Sequence, residues 1–87
     1  MKTFPLIISS PDGDVFKDSI IKIILRGTAG DLAVMAGHTP FITSIKPCEC
    51  KIECEDGTVK IGKIEGGILS VSAETVKVIS GSFIFNN

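Results

Sequence analysis

The chain has 87 residues, enough for one domain with a real but thin core, since a chain this short buries only about 60 to 65% of its unfolded surface. Nine basic and ten acidic side chains leave a net charge of −1 with no basic run, and Trp and Tyr are absent. This excludes the electrostatic footprint of a nucleic-acid or anionic-membrane binder and the stacking platforms that bases need. β-Branched residues dominate, with fourteen Ile, six Val and six Thr against four Ala and four Leu, so an all-β chain is expected.

A mean hydropathy of +0.40 is high for so small a domain, and the apolar surface that a thin core cannot hide is expected to meet a partner. Three cysteines cannot all pair within the chain, and the apolar start is interrupted by Pro5, so no secretory signal is read and a reducing cytoplasmic location is expected. No run approaches the roughly 20 apolar residues that span a bilayer.

In chain order, turn signals recur about every 8 to 12 residues, the rhythm of a sandwich or barrel of short strands. The first is Pro11-Asp12-Gly13-Asp14, where Asp12 and Asp14, like Asp18 and Asp31 further on, are expected to bond nearby backbone. The run 19–25 looks apolar on both faces, with Ile21, Ile23 and Leu25 in one alternating set and Ile20 and Ile24 around Lys22 in the other. Its second face is therefore covered either by this chain or by a partner. After the turn at 26–30 comes a corner, Gly-Asp-Leu-Ala-Val-Met-Ala-Gly-His-Thr-Pro-Phe at 30–41, holding the only histidine. His38 has no nucleophile elbow, triad order or metal-ligand repeat beside it, which leaves a residue that caps the turn or one that touches a partner.

Beyond Lys46-Pro47, Cys48, Cys50 and Cys54 share one face of a strand with Ile52 and read as small core residues. Cys50 and Cys54 would lie about 13 Å apart, too far for one tetrahedral zinc, so no metal is expected. Asp56-Gly57 suits a two-residue hairpin turn that pairs Cys54 with Val59, Glu53 with Lys60 and Ile52 with Ile61. A bulge is expected at Gly62-Lys63, where the inward phase jumps to Ile64. The stretch 57–63 imitates a phosphate loop, but Ile64 stands where the magnesium-binding hydroxyl belongs and no helix follows. Further turns are expected at Gly66-Gly67 and Ala73-Glu74-Thr75, and the Phe83-Ile84-Phe85 end should dock on its own sheet or on a partner.

Four stations, in order, resemble the N-terminal domain of the epsilon subunit of rotary F-type ATP synthase. They are SPDGDVF at 10–16, GDLAVMAGHTPF at 30–41, SIKPCECKI at 44–52 and GGILSVSAETVKVIS at 66–80; each is weak alone and their ordered combination is strong. The resemblance implies one domain over 1–87, a flattened sandwich of two five-stranded antiparallel sheets with no C-terminal helical hairpin. It implies a non-catalytic rotor subunit that couples the gamma subunit to the membrane c-ring during proton-driven ATP synthesis. Such a subunit needs no cofactor, binds no nucleic acid, does not insert in the membrane, and lies on the cytoplasmic side of a bacterial membrane or the stromal side of a thylakoid.

By the same resemblance, Asp31 and His38 match family positions that look towards the c-ring. Ile20, Lys22, Ile24, Phe83 and Phe85 are the expected gamma-subunit contacts. Ala36 replaces the usual proline before the Gly-His pair and Cys48 replaces a usual glycine. The two-helix domain that binds ATP and restrains hydrolysis in most members has no counterpart in these 87 residues. The alternative reading is a stand-alone β-sandwich module for a small ligand or glycan, which five Phe as the only aromatics support poorly.

Overall fold

In the computed structural model, which describes residues 2–28 and 30–86, the strand β2 (Gly13–Gly27) serves two sheets at once. Met1, Ala29 and Asn87 lie outside the described residues, so the turn expected at 26–30 is described only in part. The other strands are β1 (Phe4–Ser10), β3 (Gly30–Met35), β4 (Phe41–Ile45), β5 (Cys48–Cys54), β6 (Val59–Ile64), β7 (Gly67–Val71), β8 (Val76–Ile79) and β9 (Phe83–Phe85). The C-terminal half of β2 lies between β3 and β5 in a first sheet ordered β3-β2-β5-β6-β9. Its N-terminal half is the edge of a second sheet ordered β2-β1-β8-β7-β4.

Counted this way the two five-stranded sheets are present, with one difference: β1 and β8 run parallel. A tight hairpin forces antiparallel neighbours, but β1 and β8 are far apart in sequence and no turn constrains their direction. Between the sheets, Leu6, Ile8, Ile20, Ile23, Ile52, Ile64, Leu69, Val76 and Val78 are fully buried.

Two bulges let β2 change sheets. Val15 is skipped in the pairing with β1, where Phe16 faces Ile8 and Asp14 faces Ser9. Ile21 is skipped in the pairing with β5, where Ile20 faces Cys54 and Lys22 faces Glu53. An extra residue resets the two-residue alternation, so Ile20 points inward before the bulge and Ile23 and Leu25 after it. This accounts for a strand that reads as apolar on both faces.

The hairpin differs from expectation by one residue. Glu53 faces Val59 and Ile52 faces Lys60. The turn has a positive φ at Gly57 (90°) and not at Asp56, so it is a three-residue loop rather than the primed turn that Asp-Gly suggests. The Thr58 hydroxyl and then its N–H hold the Asp56 carboxyl below its usual range, the N–H at 2.9 Å.

No bulge occurs at Gly62, where the register runs unbroken from Cys48–Ile64 to Glu53–Val59. The inward set is Lys60, Gly62 and Ile64, and the ring of Phe83 occupies the space over Gly62. A methyl group there would lie 2.6 Å from the ring. Phe83 is thereby 7% exposed, a burial that contributes about 1.5 to 3 kcal/mol. It stacks edge-on against Phe85, 5.0 Å between centroids, so the C-terminal residues dock on their own sheet.

Candidate functional site: the Gly-His corner and the two outer faces

The corner between β3 and β4 turns at Ala36-Gly37 and re-enters the second sheet after Pro40. His38 is half-buried there. Its Nδ1 lies 2.7 Å from the carbonyl oxygen of Met35, and its Nε2 lies 2.7 Å from that of Ser72 in the β7–β8 turn. The ring packs edge-on against Phe4, 5.4 Å between centroids at 79°. Both nitrogens thus face the chain's own backbone, which agrees with the turn-capping alternative. Nothing local signals the Ser72 contact, because 34 residues separate the two.

Asp31 begins the same strand at its other end, exposed, with its carboxylate 2.8 Å from Nε of Arg26 directly across the ladder. That hydrogen bond, and then the Asp31 charge, hold the Arg26 guanidinium above its ordinary pKa. The two residues expected to face the ring therefore lie towards opposite ends of β3, with about 3.3 Å of rise for each strand residue between them.

Directly opposed residues share a sheet face, and the registers define two unlike outer faces. On the first sheet, Met35, Lys22, Glu53 and Val59 form one row, with Lys22 Nζ 3.3 Å from Glu53. Ala33, Ile24, Lys51 and Ile61 form the next, and Glu49 faces Lys63. Charges alternate in sign across this face, and Met35, Val59 and Ile84, which faces Lys63, stand exposed among them at 54%, 44% and 65%.

On the second sheet the rows read Ile42, Ser70, Lys77, Ile7, Lys17 and then Ser44, Ile68, Ile79, Ser9, Asp14. Ile42 is 74% exposed, and Ile68 and Ile79 are each 48% exposed. Aliphatic side chains interleaved with serines, and acid only at the rim, are the makings of a docking surface. The signal in the sequence was Ile68-Leu69, adjacent apolar residues that alternation must send to opposite faces.

None of the five expected gamma contacts is on this face of the second sheet. Ile20 and Phe83 are core residues, corrected here from surface to interior because the Ile21 bulge turns one inward and Gly62 receives the other. Lys22 is paired with Glu53, Ile24 is half-buried, and Phe85 packs against Phe16 at 6.0 Å as well as against Phe83.

The cysteines line the inner face of β5. Cys50 is buried, and that burial first, then Cys48, pushes its thiol up to about 12; Cys54 is also pushed up, chiefly by desolvation. Cys48 is half-buried and accepts the Arg26 N–H at 3.4 Å. Among the described residues no group of three His, Cys, Asp or Glu side chains converges as a metal site.

The fold defines a class, the β-sandwich whose one long strand joins two sheets. Within that class the chain belongs to the beta-sandwich domain family of the ATP synthase delta/epsilon chain, whose family model matches residues 3–86. A chain in the cryo-EM structure of Euglena gracilis mitochondrial ATP synthase, OSCP/F1/c-ring in rotational state 1, is similar to it with a TM-score of 0.89 and 21% identity. The match covers 95% of this chain and 53% of that one. A chain in the central stalk/c-ring structure of Tetrahymena thermophila mitochondrial ATP synthase matches with a TM-score of 0.80 and 12% identity, over 95% of this chain and 66% of that one. At these identities the likeness is one of fold, and the chain spans between half and two thirds of the length of these relatives.

Proposed function

We propose that the chain is a non-catalytic central-stalk subunit of a rotary F-type ATP synthase, linking the gamma subunit to the c-ring. Family membership supports the assembly, and the Euglena and Tetrahymena structures that share the fold are of ATP synthase with its c-ring. The observation that carries the reading within this chain is the inequality of its outer faces. The first sheet sets exposed Met35, Val59 and Ile84 among alternating charges, whereas on the second sheet Ile42, Ile68 and Ile79, with half-buried Ile7, lie among serines and a single interior Lys77 and offer aliphatic surface to gamma.

Asp31 and the β3–β4 corner then look towards the polar loops of the ring. A rotating stalk must carry torque without slipping, and several polar contacts plus buried apolar area resist slip better than one bond. No helix among the described residues is long and apolar enough to cross a membrane; in this reading the chain meets the membrane sector through the ring. The test is purification of the synthase from mild detergent with a tagged copy of this chain. Recovery of gamma and c subunits with wild type, and their loss with Ile42→Asp/Ile79→Asp, supports the reading; a tagged chain recovered free of both contradicts it.

A further inference from the structure

Lys77 stands at the centre of the aliphatic face. β8 is the middle strand of the second sheet, ordered β2-β1-β8-β7-β4, and Lys77 lies in the row between Ile7 and Ser70, with Ile42 beyond Ser70. Its side chain is exposed, and the next outward residue on its strand is Ile79, which faces Ile68. Two strands separate it from either edge of the sheet, about 10 Å at the usual spacing. Lys17, the other cation in the row, is on the edge strand β2, where its ammonium reaches water from the rim. The ion pairs among the described residues are Lys22–Glu53 and Arg26–Asp31, so neither Asp14 nor Glu74 engages Lys77. Asp14 sits on the edge strand with its carboxylate 2.8 Å from the Ser9 hydroxyl.

In water this lysine is solvated at no cost. A partner laid over Ile7, Ile42, Ile68 and Ile79 strips water from the centre of the face first, and an ammonium desolvated without a counter-charge is among the costliest groups to bury. Charged side chains are for this reason depleted at the core of interfaces. We propose that Lys77 is a specificity-determining residue of the gamma interface, and that the surface of gamma seated on the second sheet is aliphatic around one carboxylate placed opposite the Lys77 ammonium. The isoleucines supply buried area, which any apolar surface would accept. Lys77 rejects the surfaces that lack the acid and fixes the orientation of the one that has it. That gamma is the occupant rests on the proposed stalk role; the demand for a carboxylate rests on the position of Lys77.

The test is calorimetric binding of the chain to its cognate gamma subunit for wild type, Lys77→Met and Lys77→Glu. Methionine keeps the apolar stem and removes the charge, and at this exposed position both variants are expected to keep the wild-type denaturant midpoint. A carboxylate on gamma requires an affinity at least about tenfold weaker for Lys77→Met, which leaves that acid buried and unpaired, and at least about a hundredfold weaker for Lys77→Glu. It also requires that one gamma variant, with a single acidic residue changed to lysine, bind Lys77→Glu at least about tenfold better than unaltered gamma does. If Lys77→Met binds as tightly as wild type or more tightly, the stem carries its ammonium out to water, and the proposal is overturned with gamma still the occupant. If Lys77→Met is weaker but no gamma variant restores Lys77→Glu, the carboxylate is overturned. A wild-type chain that does not bind gamma overturns the stalk role itself, a result that no behaviour of the Lys77 variants can imitate.

Discussion

The hydroxyl of Ser80 donates to the carbonyl of Gly66 at 2.6 Å and so joins two of the places where the chain crosses between sheets, β6 to β7 and β8 to β9. Ser80 is buried, and its hydroxyl also accepts the Ser82 N–H at 3.2 Å. Beside it the Glu65 N–H donates to Ser82 O and the Ser80 N–H to Ser9 O. Ser80→Ala strips a part-buried carbonyl and a part-buried N–H of their partner, and is expected to destabilise the chain by about 1 to 3 kcal/mol. Denaturant unfolding checks this against Ser44→Ala, an exposed serine whose loss is expected to stay within about 0.5 kcal/mol.

Gly62 and Phe83 are expected to behave as one unit. Gly62→Ala drives a methyl group into the Phe83 ring and should cost about 1 to 3 kcal/mol. Phe83→Ala empties the same place and should cost about 3 to 5 kcal/mol. In Gly62→Ala/Phe83→Leu the smaller side chain relieves the clash, so the double variant is expected to be more stable than the sum of Gly62→Ala and Phe83→Leu measured singly. Additive unfolding free energies would show that the ring does not rest on Gly62.

The thiols should respond to pH in a defined window. The Cys50 thiol titrates at about 12 in the folded chain against an ordinary 9.0. Below pH 9 it is protonated in both states and has no effect on the balance; above pH 9 the unfolded chain ionises first and folding stability falls towards pH 12. Cys50→Ala is expected to flatten that fall, measured as unfolding free energy between pH 8 and about 11. In the native chain an alkylating reagent near neutral pH should label Cys48 and spare Cys50.

Much of this was legible because local chemistry and tertiary structure agree. Pro11-Gly13, Lys46-Pro47 and Ala73-Thr75 all punctuate strands where turn chemistry says they should. The hairpin register was misread because Asp-Gly fits two loop types, and Gly57 alone takes the positive φ. The phase jump at Gly62 looked like a bulge because the residue that fills the gap, Phe83, comes from another strand. Ile20 looked available to a partner because nothing local announces that Ile21 is skipped in the pairing with β5. His38 was legible as a turn residue, but its tie to Ser72 depends on two loops meeting in space.

The central claim is that the aliphatic face of the second sheet holds this chain in the stalk. Ile42 is 74% exposed, so Ile42→Asp is expected to change folding stability by no more than about 0.5 kcal/mol. The most direct measurement is calorimetric binding of the chain to its cognate gamma subunit, wild type beside Ile42→Asp. The expected result is a one-to-one complex for wild type and an affinity at least about tenfold weaker for a fully folded Ile42→Asp. A wild-type chain that does not bind gamma, or an Ile42→Asp chain that binds it equally well, would contradict the account.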